Sequence, residues 1–180
     1  MTLATEYEAK VLDIDVALMT ANIREHGGIH IKDRTMRRYV YDITPDDQSR
    51  WIRLRHDGSQ ATLCVKHILS DAIDGTREAE VVVSDFNTTH TLLNLMGFTP
   101  KAYQENRRTS YMLRDVRLEI DTWPLIPPYL EIEGDSVDEV HGAAEQLGIT
   151  PATLTAANTT EIYERYGHDL ASIKELRFTE

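Results

Sequence analysis

The chain has 180 residues, with 19 Lys plus Arg against 30 Asp plus Glu, a formal charge of −11 and a pI near 5.0. That length suits one domain with a real core, and the acidic balance argues against a protein that coats nucleic acid or binds membranes through a basic surface. No stretch of 18 predominantly apolar residues occurs, the opening MTLATEYEAK lacks the basic head and apolar run of a signal peptide, and the single cysteine, Cys64, cannot form an internal disulfide. The expectation is a soluble, cytoplasmic, globular protein that binds neither nucleic acid nor membrane, and the sequence is compatible with a homodimer.

Residues 5–14 alternate charged and apolar side chains and predict a strand. A helix over 15–27 ends at Gly27-Gly28, and strands are expected at 37–43, 50–56 and 61–68, separated by turns at Pro45-Asp46-Asp47 and Asp57-Gly58. A Val-rich strand at 77–84 precedes a short helix over 87–96 that stops at Gly97. Strands follow at 101–105, 108–113, 116–121 and 129–133, with Arg114-Asp115 as a tight connection. The helix over 137–147 carries a capping box, Ser136 with Glu139, and Gly148 at its C-terminal end. One or two more helices are expected after Pro151, at 160–166 and about 169–177. Nothing resembles an interdomain linker, so the reading is a single domain over 1–180: a β-rich core, helices outside it and a C-terminal helical extension from about 151.

Strand alternation places the charges in an unusual way. Glu6, Glu8 and Lys10 share one face of their strand, as do Arg53 with Arg55, Glu78 with Glu80, Arg117 with Glu119 and Asp121, and Glu131 with Glu133; Lys66 lies with Thr62 and Cys64. A solvated outer face is the ordinary explanation of one such strand. Here Arg pairs with Arg and Glu with Glu at i, i+2, which costs repulsion unless opposite charge lies between them. The helices also need an apolar sheet face to cover, which turns the charged face inward, toward a barrel lumen. Closure removes the exposed sheet edges as well. Buried charge at that density must be paired or bound to ions. Convergent bases suit a polyanion, and clustered carboxylates suit a hard divalent cation, Mg²⁺ or Mn²⁺.

The same residues carry a resemblance. Glu6-Tyr7-Glu8-Ala9-Lys10, Tyr39-Val40-Tyr41-Asp42, Trp51-Ile52-Arg53-Leu54-Arg55, Lys66, Arg77-Glu78-Ala79-Glu80, Asp121 and Glu131-Ile132-Glu133 follow one another as in the CYTH domain. The chain resembles that family, the triphosphate tunnel metalloenzymes, from about residue 4 to about 148. The resemblance implies an α+β fold built on a closed eight-stranded antiparallel β-barrel with helices packed outside and a substrate tunnel within. It implies that Lys10, Arg53, Arg55, Lys66 and Arg108 grip a triphosphate and that Glu8, Glu131 and Glu133 hold Mg²⁺ or Mn²⁺. Glu6, Glu80 and Asp121 would lie close by, so that Glu6, Lys10, Arg55, Glu80 and Asp121 are the expected catalytic set. One position departs from the family pattern: Asn106 stands where a Lys usually precedes Arg108 by two residues.

The other polar residues read more plainly. His26 and His30 are four apart with Gly27 and Gly28 between them and are no helical metal pair, Ser110 has no triad partners in the sequence, and Gly27-Gly28 lacks the context of a phosphate loop. Tyr7, Tyr111 and Tyr129 are assigned to the face opposite the charges, which leaves little stacking surface inside for a base. The expected function is therefore metal-dependent hydrolysis of an inorganic or organic triphosphate. Cyclisation of ATP by a class IV adenylate cyclase is the alternative, and a non-catalytic triphosphate-binding protein is the third reading.

Overall fold

The structure is a computed structural model, and it describes residues 4–45 and 47–179. Among the described residues nine strands form one sheet: β1 (Ala4–Val11), β2 (Ile29–Asp42), β3 (Arg50–His56), β4 (Ala61–Ile68), β5 (Thr76–Val83), β6 (Pro100–Leu113), β7 (Val116–Thr122), β8 (Tyr129–Gly134) and β9 (Glu175–Leu176). The order is β2-β3-β4-β5-β1-β8-β7-β6, and β6 pairs back with β2, so eight antiparallel strands close into a barrel. The short β9 adds in parallel to β6 at Tyr103 and Gln104, beyond the stretch of β6 that β7 covers. The α-helices of the described residues lie outside: α1 (Val16–Glu25), α2 (Phe86–Leu95), α3 (Val137–Gln146) and α4 (Thr159–Arg165).

The barrel keeps its apolar side chains on the outside, as the alternation requires. The outer faces of β1, β7 and β8 contribute Ala9, Leu118, Leu130 and Ile132 to a buried cluster with Ile23 of α1, Val140 and Ala144 of α3, and Leu147 at the C-terminal cap of α3. On the opposite side Tyr41, Ile52, Leu54 and Ala61 pack under Phe86 and Leu93 of α2. Tyr41 also donates or accepts a hydrogen bond at His90 Nδ1, 2.7 Å away. A third cluster joins Trp123, Ile126 and Tyr129 to Ile162, Tyr163, Leu170 and Leu176 of the C-terminal segment. That segment is tied down by a Tyr163 hydroxyl donating to the Pro124 carbonyl (2.6 Å) and by a two-way backbone bridge between Lys10 and Thr155.

Several local expectations need correction. β2 begins at Ile29, eight residues before the expected strand, because pairing with the whole of β6 stabilises a run, His30 to Met36, whose polar residues mask its alternation. For the same reason 101–105 and 108–113 are one strand, β6. The expected helix at 169–177 is a single 3-10 turn, Leu170–Ser172, followed by β9, since the open edge of β6 offers backbone partners that an isolated short helix lacks. At α3, Ser136 accepts from the Glu139 N–H, while the Glu139 carboxylate reaches back to the N–H of Asp135 rather than Ser136. The complete capping box belongs to Asn158 and Glu161 at α4. In the turn at Pro45-Asp46-Asp47, Asp46 lies outside the described residues.

The Asp57-Gly58 turn joins β3 to β4 as expected, and Gly58 takes a positive φ of 92°. Burial alone would raise the Asp57 carboxyl, but the N–H groups of Gln60 and Ser59, the Ser59 hydroxyl and the nearby Lys32 ammonium together hold it well below the usual carboxylate range. Its contribution is therefore present above an unfolded pKa of about 3.9 and is lost as pH falls below it. Asp57→Ala should cost about 1–2 kcal/mol at pH 7, and the gap to wild type in urea unfolding should narrow steadily from pH 4 to pH 2; an unchanged gap would remove Asp57 from the turn's energetics.

Candidate active site

Lumen-facing residues of all eight barrel strands line a cavity of about 570 Å³. The expected cations Lys10, Arg53, Arg55, Lys66 and Arg108 all line it, as do Glu6, Glu8, Glu80, Glu131 and Glu133. Asp121 lies behind this wall, fully buried, and reaches the lumen only through its partners. Glu78, Glu119 and Arg117 also line the cavity, in agreement with the alternation. A second cavity of about 370 Å³ shares Arg34, Arg55, Glu80, Arg117 and Glu119 with the first, toward the Asp57 turn.

Opposite charges interleave around the lumen. On β1, Lys10 Nζ stands 2.8 Å from Glu8 and 3.6 Å from Glu131, and these two carboxylates hold the buried ammonium above its ordinary range although burial works against it. Lys66 stands 2.8 Å from Glu6 and 3.1 Å from Glu78. Arg53 and Arg55 share Glu80, at 3.1 and 3.3 Å, so the Arg-x-Arg repulsion is relieved by the carboxylate between them. Arg55 remains the less satisfied of the two: Arg53 and then burial bring its guanidinium down to about 10. Arg108 binds Asp121 through Nε (2.9 Å) and Nη2, and Glu131 at 2.9 Å. Glu131 is thereby held well below the usual range against the effect of its burial.

Glu8, Glu131 and Glu133 offer three carboxylates for a divalent ion, although among the described residues their donor atoms do not all lie within 4.8 Å of one another. Glu8 and Glu133 face each other in the β1–β8 register, with Glu131 two residues along. Burial raises Glu133, Arg117 at 3.1 Å only partly offsets this, and Glu131 and Glu8 raise it further. Like charges facing each other across a strand pair call for a cation between them, and three carboxylates suit a hard one. Among the described residues, Cys64, Glu78 and Glu80 have donor atoms within 4.8 Å of one another. There Arg53 and Lys66 already occupy the carboxylates, and burial pushes the Cys64 thiol up to about 12, so it is no thiolate ligand. The residues at β1–β8 offer oxygen donors alone, which suits a hard divalent ion, and their present partners are Lys10, Arg108 and Arg117. Glu6, beside Glu78, is raised to about 8, chiefly by burial and against the pull of Lys66.

Other lumen residues were not expected from the sequence. Arg34 and Arg38 of β2 line the cavity; Arg34 binds Ser110 and, at 3.3 Å, Glu119. Their signal was the same parity, i and i+4, in a strand whose beginning the sequence obscured. Tyr129 is a correction: it has the parity of Glu131 and Glu133, and with Trp51 and Trp123 it lines the cavity. Only Tyr7 and Tyr111 belong to the outer cluster. Asn158, Thr159 and Glu161 from the C-terminal segment line one end.

The pairing pattern separates two kinds of arginine. Arg108→Ala would leave the buried Asp121 without its ionic partner, and urea unfolding should register a loss of about 3–5 kcal/mol. Arg55→Ala also relieves repulsion with Arg53, and its stability should change by less than about 1 kcal/mol. Equal losses in the two variants would contradict the assignment of charge partners.

The family model of the CYTH domain matches residues 4–159. Among curated proteins none matches this chain in sequence. Solved structures share the fold. A conserved hypothetical protein of Pyrococcus furiosus superposes with a TM-score of 0.75 at 19% identity, covering 88% of this chain and 99% of that one. A candidate adenylate cyclase of Vibrio parahaemolyticus superposes at 0.74 with 12% identity, covering 89% and 98%. A candidate adenylyl cyclase of Hippeastrum with a dominant triphosphatase activity superposes at 0.59 with 15% identity, covering 90% and 96%. With the family model spanning most of its length and the tunnel barrel in place, this chain belongs to the CYTH domain family.

Proposed function

We propose that this protein is a divalent-metal-dependent triphosphatase that hydrolyses the terminal phosphoanhydride of a triphosphate held inside the barrel. The observation that carries the reading is one closed lumen lined by Lys10, Arg53, Arg55, Lys66 and Arg108 together with the carboxylates Glu8, Glu131 and Glu133. Phosphoryl transfer needs neutralised oxygens and an aligned nucleophile more than covalent help from the protein. The guanidinium groups of Arg53, Arg55 and Arg108 suit multipoint contact with phosphate oxygens, and the ammonium groups of Lys10 and Lys66 add point charges. Substrate oxygens would replace part of the ion pairing that these cations now have with Glu6, Glu78 and Glu80. Glu8, Glu131 and Glu133 would hold Mg²⁺ or Mn²⁺, which when bound neutralises phosphate charge and aligns the phosphates.

Hydrolysis forms a bond from a water oxygen to the terminal phosphorus and breaks that phosphorus's bond to the bridging oxygen, which leaves with diphosphate; the water gives up a proton. Glu80 is the carboxylate best arranged to accept it, since it lies beside both Arg53 and Arg55 at the phosphate grip. Glu6, beside Lys66, is a second acid of the expected catalytic set on the lumen wall. The dominant triphosphatase activity of the Hippeastrum relative supports hydrolysis. Cyclisation of ATP is kept as a second reading because Trp51, Trp123 and Tyr129 line the cavity and offer aromatic surface to a base. The intact set of carboxylates argues against a non-catalytic binder.

Incubation of the pure protein with inorganic triphosphate or ATP and Mn²⁺ should release orthophosphate, and excess chelator should abolish it. Cyclic AMP as the main product from ATP, with no orthophosphate from inorganic triphosphate, would replace hydrolysis by cyclisation. Within the hydrolysis reading, Arg55→Ala should lower kcat by about 10²–10³-fold, as expected for one preorganised charge donor, and Glu133→Gln should raise the metal concentration needed for half-maximal rate. A wild-type kcat in the first variant would place Arg55 outside the reaction.

A further inference from the structure

Nearly every cation of the lumen wall is neutralised by the protein itself. Among the described residues, each Lys or Arg lining the cavity other than Arg38 has a carboxylate oxygen within 4.0 Å. Arg38 has none, although it is only 8% exposed. Its guanidinium donates through Nη2 to the Asn106 side-chain oxygen and lies over the Trp123 ring, 4.6 Å from the centroid. Asn106 in turn donates to Asp121 (2.8 Å), whose charge is already taken by Arg108. Two buried donors in this stack, Arg38 Nε and Trp123 Nε1, have no hydrogen-bond partner, and both side chains line the cavity. Burial and then the neighbouring Arg53, Arg55 and Arg108 bring the Arg38 guanidinium down to about 9, which leaves it charged at neutral pH.

A buried cation without an anion is costly, and so is a buried donor without an acceptor. A ligand that supplies anionic oxygens at this point removes both costs. The barrel's strand order sets β2, which carries Arg38, diametrically opposite β1, which carries Glu6, Glu8 and Lys10. A chain of phosphates can therefore meet the carboxylate-rich wall at one end and Arg38 at the other. We propose that Arg38, presented by Asn106 and Trp123, is a substrate-binding residue of this chain that takes a phosphate group of the triphosphate. It does so in place of a cation at position 106: the neutral Asn106 positions the arginine from β2 instead of supplying charge from β6.

The inference rests on the triphosphate reading above, and calorimetry separates the two. The probe is the bis-methylene analogue of inorganic triphosphate, which resists hydrolysis, titrated with Mg²⁺ into the full chain. Arg38→Gln should weaken binding about 10- to 100-fold, as expected for loss of charged hydrogen bonds, while its ligand-free melting temperature stays level or rises because an uncompensated buried charge is gone. Asn106→Asp supplies Arg38 with a carboxylate from the protein and should weaken binding similarly in a folded chain; it decides the matter if Arg38→Gln does not fold. Wild-type affinity in a folded Arg38→Gln, or in Asn106→Asp, would make Arg38 a structural residue and overturn the inference while leaving the triphosphate reading intact. A wild-type protein that fails to bind the analogue would overturn both.

Discussion

Charge taken out of water must meet opposite charge, and this protein satisfies that requirement inside its barrel. Lys10 lies between Glu8 and Glu131, Lys66 between Glu6 and Glu78, and Glu80 between Arg53 and Arg55. Each alternating strand contributes charges of one face to this lattice and apolar residues of the other to the outside. The apolar side then needs cover, and α1, α2 and α3 supply it through two separate clusters, while the C-terminal segment packs on Trp123 and Tyr129 beside the lumen. The core of the molecule is accordingly a shell around a polar interior, and the helices are where they are because the lumen is charged.

A lumen built this way is well suited to exchange. Ion pairs within a low-dielectric cavity are not a strong source of stability, since the desolvation of both partners offsets much of their attraction. On the proposed function, a polyphosphate that enters with a divalent ion presents both signs of charge and replaces some internal partners, and its excess negative charge falls to cations of the wall such as Arg38. Arg108 is the exception: with two contacts to the fully buried Asp121 and one to Glu131, it belongs to the wall as much as to the grip. Arg38 is the opposite case, a cation whose balance the protein leaves open.

The two ends of the cavity differ in chemistry. Toward the Asp57 turn the wall carries Arg34, Arg117 and Glu119, all charged. Toward the C-terminal segment it carries Trp123, Tyr129, Asn158 and Leu170, with Tyr163 and Ile162 packed behind them. The residues after 150 thus do more than extend the barrel, since they form part of the wall at the end that carries Trp123 and Tyr129. The aromatic surface there is the physical reason that cyclisation of a nucleotide stays beside hydrolysis as a reading.

The sequence by itself determined which face of six strands carries the charges, but not the lumen face of β2 or the lumen position of Tyr129. Alternation is local, with a period of two, so Glu6, Glu8 and Lys10, Arg53 with Arg55, and Glu131 with Glu133 could be placed on one face without knowing their neighbours. The order of those motifs carried the family as well. Strand extent, pairing partners and the completeness of each charge's surroundings were decided only by tertiary structure. β2 gains its first eight residues from pairing with β6, β9 forms because β6 has a free stretch of edge, and neither partner is local in sequence. That Arg38 is buried without a carboxylate, while Arg108 has two, depends on which strands meet across the closed barrel. Long-range contacts fix the electrostatic environment of a side chain, and no window of the sequence contains them.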